Sequence, residues 1–263
     1  MRRLAAILLA GIGGLSPGTA PAWGPEGHRA AAWITAQRLC APAATEIRRL
    51  LGEEELAEAS LWPDRIRGEP GWAHTRDWHY LNIGDDVPFE ALREGVDGHG
   101  RLLTAIRENL AVLGDTGRPG PERRDALAFT LHLVADLHQP LHVGRLEDRG
   151  GNTITVSFEG RETNLHRLWD GVLLRSAGLR PGDYRRTLEP LVALGAADWA
   201  RGSLEDWAEE SRRLRPWVYD FDARRRVPAI SQRYAETGRQ LTALRLAQAG
   251  VRTAWLLNEL WCD

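Results

Sequence analysis

Glu122-Arg-Arg-Asp-Ala-Leu-Ala-Phe-Thr-Leu-His132-Leu-Val-Ala-Asp136-Leu-His138-Gln-Pro140-Leu-His142 is the stretch that decides the fold. Residues 122–139 carry the strongest helical pattern in the chain. Pro140 ends it, because proline has no amide hydrogen and clashes with the preceding turn. Leu127, Leu131 and Val134 make an apolar stripe that can face a core. His132 and Asp136 are four apart, so they share a different face. His142 lies past the proline, where a turning chain brings a third polar side chain in from another direction.

The helical reading extends outward. Residues 25–40, 44–51, 53–59 and 101–113 space Ala, Leu, Ile and Trp as helices do, with breaks at Gly52 and Gly114. Residues 71–86 are irregular and aromatic, and 118–121 read as a turn-rich connection. Further helices are expected over 164–177, 181–194, 203–219 and 230–261, the last interrupted near Gly250. Residues 152–163 give the one strand signal. Ile154, Val156 and Phe158 alternate with polar residues, and Glu159-Gly160 suits a hairpin turn. No repeat, low-complexity tract or long linker divides the chain. The expected fold is mainly α, a single compact multi-helix domain with one small β-hairpin.

Composition narrows the function. The 263 residues are 43% hydrophobic and 27% charged, which is globular rather than disordered. A net charge of −2 argues against a broad basic surface for gripping nucleic acid. Two cysteines exclude a disulfide-dense scaffold and zinc fingers built on paired cysteines. Cys40 and Cys262 could pair in an oxidising compartment or remain two buried thiols. Residues 1–22 read as a cleaved signal peptide, with Arg2 and Arg3, an apolar stretch from Leu4 to Leu15, and Ala20-Pro-Ala22. Cleavage would make Trp23 the first residue of an exported chain, periplasmic or secreted. No later apolar run is long enough to span a membrane.

The His/Asp pair occurs twice. Asn164-Leu-His166-Arg-Leu-Trp-Asp170 repeats the i, i+4 spacing. One such pair is commonly a solvated helix face. Two of them, with His142 between, point to a divalent metal, since imidazole nitrogen and carboxylate oxygen suit zinc. Trp23, His28, Asp64 and Trp78-His79-Tyr80 add upstream candidates.

As an ordered set, these motifs resemble the S1/P1 nuclease family. They are Trp23-Gly-Pro-Glu-Gly-His28, Trp62-Pro-Asp64-Arg-Ile-Arg67, Trp78-His79-Tyr80, residues 132–142, Gly150-Gly-Asn152, Asn164 to Asp170 and residues 249–257. The resemblance covers nearly all of residues 23–263. It implies an α-helical, zinc-dependent nuclease domain with three Zn²⁺ ions in a cleft. One ion would take Asp64, His79, His132 and Asp136. Its neighbour would take the amine and carbonyl of Trp23, His28 and a bridging Asp136. The third would take His142, His166 and Asp170. His74, His99 and His138 receive no metal role; His138, inside the motif, either supports a ligand or makes an ordinary structural hydrogen bond.

The implied activity is hydrolysis of single-stranded DNA and RNA to 5′-phosphate products, with removal of 3′-phosphates from nucleotides. Zinc acidifies water near neutral pH and stabilises charge developing at phosphorus, so no Ser, Cys or Lys nucleophile is required. Three carboxylates do not neutralise three divalent ions, which leaves an acidic protein with a locally positive cleft. Arg67 would contact the phosphate in the transition state, beside the bridging Asp136. Tyr80 would stack a nucleobase, worth roughly 1–3 kcal/mol. Asn82 departs from the carboxylate of fungal members, which leaves base preference open. Two alternatives stand beside this reading. One is a zinc phospholipase C of the same fold, which usually has Glu where this chain has Asp170. The other is an exported zinc-binding protein without catalysis. No obligate protein partner is implied, and a monomer is expected.

Overall fold

In the computed structural model, which describes residues 23–88, 90–91, 99–179 and 182–262, helices follow one another around one buried member. In order these are α1 (Pro25–Ala36), α2 (Ala41–Leu51), α3 (Leu56–Ala59), α4 (Trp62–Ile66), α5 (Leu102–Gly114) and α6 (Gly120–Leu137). A hairpin of β1 (Thr155–Phe158) and β2 (Arg161–Asn164) follows. Then come α7 (Leu165–Arg167), a π-helical turn (Leu168–Val172), α8 (Leu173–Arg175), α9 (Tyr184–Trp199), α10 (Leu204–Arg213), α11 (Arg215–Val218) and α12 (Gln232–Trp261). The expected signal peptide at 1–22 lies outside the described residues. Among the described residues no helix is long and apolar enough to cross a membrane.

The deciding stretch is the centre of the molecule. Every residue of α6 from Ala126 to Leu137 is buried. The sequence pattern gives that helix one apolar stripe; the structure surrounds it. Leu127 and Leu131 pack with Ile47 and Leu50 of α2 and Leu257 of α12. Phe129, Leu133 and Leu137 meet Leu102 and Ile106 of α5 and Trp207 of α10. Ala135 meets Trp23, Ala31 and Leu246. A helix enclosed on all sides belongs in a core, so His132 and Asp136 are carried there with it.

Several boundaries move for local reasons. α1 stops at Ala36, short of the expected residue 40, and Cys40 caps α2 instead, its sulfur accepting from the Ala43 amide at 3.4 Å. The helix expected over 203–219 divides at Leu214, because Pro216 lacks the amide that would continue the ladder. α9 begins at Tyr184 rather than 181 and runs to Trp199. The hairpin turns through Glu159 and Gly160, both with positive φ (50° and 75°), the signature of a type I′ turn.

The interruption expected near Gly250 does not occur, and α12 runs 30 residues unbroken. A Cβ at Gly250 would lie 2.6 Å from the Ile34 Cβ and 2.7 Å from the Ala31 carbonyl. The glycine lets α1 and α12 close against each other; it does not end a helix.

Cys40 and Cys262 are bonded, their Cα atoms 6.6 Å apart, within the span a disulfide allows. Asn258 reinforces the clasp. Its Oδ1 accepts from the Cys40 amide at 3.0 Å, and its Nδ2 donates to the Arg38 carbonyl at 2.9 Å. Replacing both cysteines with serine is expected to lower the unfolding free energy by about 2–4 kcal/mol, read from urea melts, with bound metal unchanged. An unshifted urea midpoint would show that the bond adds nothing to stability.

Candidate metal centre

Three segments converge on α6. His132 and Asp136 come from α6 itself, one turn apart and both at 0% exposure. His28 arrives from α1, Asp64 from α4, and His79 from the chain that follows the 3₁₀ turn Pro70–Thr75. The His28 ring stacks on His132 with centroids 3.9 Å apart. Asp136 faces two ways. Its Oδ1 is 3.5 Å from His28 Nε2, while its Oδ2 is 3.0 Å from His79 Nδ1 and 3.4 Å from His132 Nε2. Asp64 Oδ1 lies 3.7 Å from His132 Nε2. Two groups result, His28–His132–Asp136 and Asp64–His79–His132, each with ligand atoms within 4.8 Å of one another. His132 therefore stands between the groups beside Asp136, whereas the resemblance shares Asp136 alone.

His142, His166 and Asp170 form a third group of the same compactness. The π-helical turn at Leu168–Val172 widens the helix under Asp170 yet keeps its Oδ2 3.4 Å from His166 Nε2. π turns gather at functional sites, but nothing in the helical spacing announces this one. Gln139, which no motif assigns, orients the carboxylate. Its Nε2 donates to Asp170 Oδ1 at 2.7 Å, and its Oε1 accepts from the Leu141 amide at 2.6 Å. Oδ2 is thereby left facing the histidine.

Trp23 ties the beginning of this segment to both carboxylates. Fully buried, it donates from its indole to the Ala135 carbonyl at 2.8 Å, next to Asp136. The Gly24 amide donates to the Asp170 carbonyl at 2.6 Å. Gly27 leaves room for the indole, since a Cβ there would lie 2.9 Å from the Trp23 Cβ.

The donor chemistry fits divalent cations. Backbone carbonyls fix three rings: His132 Nδ1 donates to Ser60 at 2.8 Å, His142 Nδ1 to His79 at 2.6 Å, and His166 Nδ1 to Gly150 at 2.7 Å. Such a bond leaves the other ring nitrogen with a free lone pair, the usual arrangement around a metal. Seven buried atoms of these residues have no hydrogen-bond partner: both ring nitrogens of His28, His79 Nε2, His142 Nε2, and one oxygen each of Asp64, Asp136 and Asp170. Buried polar atoms are nearly always satisfied. Their collection at one place is what bound cations would resolve.

Charge is distributed unevenly. Burial pushes the His28 pKa well below its ordinary value and brings His79 down to about 4. Burial also opposes charge on His132, but the Asp136 and Asp64 carboxylates outweigh it and raise this histidine to about 9. Burial works against the Asp136 anion too, and His132 and His142 overcome it, holding that carboxyl well below the usual range.

Two of the three groups reach a cleft of about 590 Å³, through His79 in one and His142 and His166 in the other, and Arg67, Tyr80 and Asn82 line it with them. Arg67 is not a free surface residue. Its Nη1 lies 3.9 Å from Asp64 Oδ1, and the side chain is 14% exposed. Tyr80 stacks on His99 at 6.2 Å, and the His99 and Asn82 backbones exchange hydrogen bonds of 2.7 and 2.8 Å. His99, Arg76 and Arg149 line the same cleft. Sequence reading misses them because they lie outside every motif; His99 in particular sits among glycines with no local pattern.

The S1/P1 Nuclease family profile matches residues 23–261. Endonuclease 4 of Arabidopsis thaliana is 30% identical over 268 residues, spanning 91% of this chain and 89% of that protein. Nuclease S1 of Aspergillus oryzae is 31% identical over 157 residues, spanning 56% and 53%. Nuclease P1 of Penicillium citrinum is 27% identical over 154 residues, spanning 56% and 57%. The chain belongs to the S1/P1 nuclease family.

Membership makes it a nuclease, with His/Asp groups able to hold metal ions. Three histidines stay outside those groups: His99 in the cleft wall, and His138 and His74. His138 donates from Nδ1 to the Val134 carbonyl at 2.7 Å and meets Arg252 Nη1 at 2.9 Å through Nε2. Burial, then Arg245 and Arg252, push its pKa well below the ordinary value. Of its two expected roles, the structural hydrogen bond is the one it makes. His74 stacks on Trp72.

A histidine must be neutral to ligate, and at about 9 the His132 pKa keeps it protonated at pH 7 in the metal-free chain. Zinc loading at pH 7 is therefore expected to release protons, seen as a heat of binding that varies with buffer ionisation enthalpy. Apparent affinity should rise from pH 6 to pH 8. A heat independent of buffer would contradict this charge state.

Proposed function

We propose that this chain is an exported, zinc-dependent nuclease that hydrolyses phosphodiester bonds of single-stranded DNA and RNA to 5′-phosphate products, and that it also removes 3′-phosphates from nucleotides. The observation that carries the reading is the gathering of seven unpartnered buried polar atoms in the three His/Asp groups, beside a cleft that His79, His142 and His166 line. Three Zn²⁺ ions would be held as the family resemblance implies: one by Asp64, His79, His132 and Asp136, one by His28, Asp136 and the Trp23 amine and carbonyl, and one by His142, His166 and Asp170. When bound, zinc supplies a Lewis acid for the phosphate and a means of ionising water near neutral pH.

The chain's own residues do the rest. Asp136 holds charge at the centre through both carboxylate oxygens. Gln139 keeps Asp170 in one orientation, and carbonyls keep the histidine rings in place. Arg67, held beside Asp64, reaches the phosphate and stabilises charge gathering on its oxygens. Tyr80, backed by His99, offers an aromatic face to a base. A base can stack on such an aromatic wall only when it is free of a duplex, which favours an unpaired strand. The match along residues 23–261 favours this chemistry over phosphatidylcholine hydrolysis and over metal binding without catalysis.

The test is metal analysis combined with product analysis on single-stranded DNA, RNA and phosphatidylcholine. Expected are three zinc equivalents, 5′-phosphate ends, loss of activity in chelator, and no action on the lipid. Arg67→Ala should lower kcat by roughly 10²–10³-fold while zinc content holds. Unchanged turnover would return Arg67 to a packing role, and lipid cleavage alone would replace the function proposed.

The N-terminal ligand has its own test. An α-amino group has a lone pair for zinc, whereas a peptide nitrogen gives its lone pair to resonance. A chain beginning at Trp23 should therefore bind one more zinc equivalent than a chain with a single added Gly. Equal zinc content and equal rate in both would remove Trp23 from the ligand set.

A further inference from the structure

Among the described residues only two non-glycine residues have positive φ. Glu159, at 50°, sits in a hairpin turn that demands it. Arg149, at 56°, opens a run of three left-handed residues with Gly150 and Gly151 (63° and 77°). The glycines are explained by crowding, since a Cβ at Gly150 would lie 2.3 Å from the Leu141 carbonyl. Arg149 is not. A left-handed backbone is strained for any residue with a side chain, and such residues gather at ligand clamps. Here the backbone is held by two bonds: Arg149 N donates to the Leu146 carbonyl at 3.2 Å, and Asn152 Nδ2 donates to the Arg149 carbonyl at 2.9 Å.

The side chain this strain retains is an exposed guanidinium. Among the described residues it forms no ion pair and no side-chain hydrogen bond, although Glu147 and Asp148 precede it. Asp148 is turned inward, its Oδ1 accepting from the Gly151 amide at 2.7 Å. Arg149 lines the cleft, one residue from the carbonyl that receives His166 Nδ1. It therefore stands at the His142–His166–Asp170 end, whereas Arg67 stands at the Asp64–His79 end. Leu146, 48% exposed, lines the cleft beside it.

We propose that Arg149 and Leu146 form a subsite for the nucleotide that flanks the scissile bond. The Arg149 guanidinium takes the neighbouring phosphodiester, and Leu146 packs against the attached sugar or base. The subsite rests on the single-strand nuclease reading above and adds a substrate preference to it. A dinucleoside monophosphate carries only the scissile phosphodiester, so it leaves Arg149 unused. A longer strand engages it, so oligonucleotides are bound more tightly than the minimal substrate.

The experiment compares the wild-type enzyme with Arg149→Gly, Arg149→Lys and Leu146→Ser on a dinucleoside monophosphate and a single-stranded hexanucleotide. Glycine suits a φ of 56°, so Arg149→Gly should fold at least as well as wild type and keep its zinc. It should raise KM for the hexanucleotide about ten-fold, the loss expected for one charged hydrogen bond. The kcat on both substrates and the KM on the dinucleoside should not change. The slope of log(kcat/KM) against log salt on the hexanucleotide should become shallower by about 0.7, one phosphate contact on a single strand. Lysine should restore most of that slope, and Leu146→Ser should raise KM without altering it. Wild-type KM and salt slope in Arg149→Gly would overturn the subsite alone, as would an equal loss on both substrates. A wild-type enzyme inert on both substrates would overturn the nuclease reading and the subsite with it.

Discussion

A carboxylate and an imidazole enclosed in the middle of a packed helix are the constraint on which this molecule depends. Removing charge from water costs several kcal/mol per ion unless partners replace the water. Asp136 and His132 have no solvent at all, so each neighbouring element supplies something to them. α1 brings His28, α4 brings Asp64, and the chain before α5 brings His79. Around a purely apolar α6 none of these segments would need to approach so closely. The helices are arranged to hold polar donors as much as to hide leucines.

The lower end of α6 shows how this is kept rigid. The last carbonyls of a helix have no partner inside it. Here the Leu137 carbonyl accepts from Ser211 Oγ at 2.6 Å and the His138 carbonyl from Arg245 Nε at 3.3 Å. Glu210 then holds Arg245 and Arg252 together through contacts of 2.6–2.7 Å. Positive groups at a helix C-terminus are favourable, and these fix where the chain leaves toward Gln139, Pro140 and His142. α10 and α12 thus position a cleft they do not line.

Much of this was legible in the residues. The i, i+4 pairs announced two polar faces, and Pro140 announced the stop that lets His142 turn inward. Those features are local, set by helix geometry over a few residues. What escaped depends on distant approach. Gly250 reads as a breaker until Ile34 is seen against it. The π turn under Asp170 has no periodic signature. Gln139 and Arg149 look ordinary because their meaning lies in a carboxylate 31 residues away and in a backbone conformation that no spacing encodes.

The packing of α12 on α1 also governs when the fold can be completed. α1 finds its main helical neighbour in the last helix of the chain, and Cys40 finds its bond at residue 262. Ala31 and Ile34 complete their packing only when Gly250 of α12 lies against them. Pairing α1 with α12, like the Cys40–Cys262 bond, joins segments about as far apart in sequence as this fold allows, 222 positions for the disulfide, and long-range closures of this kind slow folding.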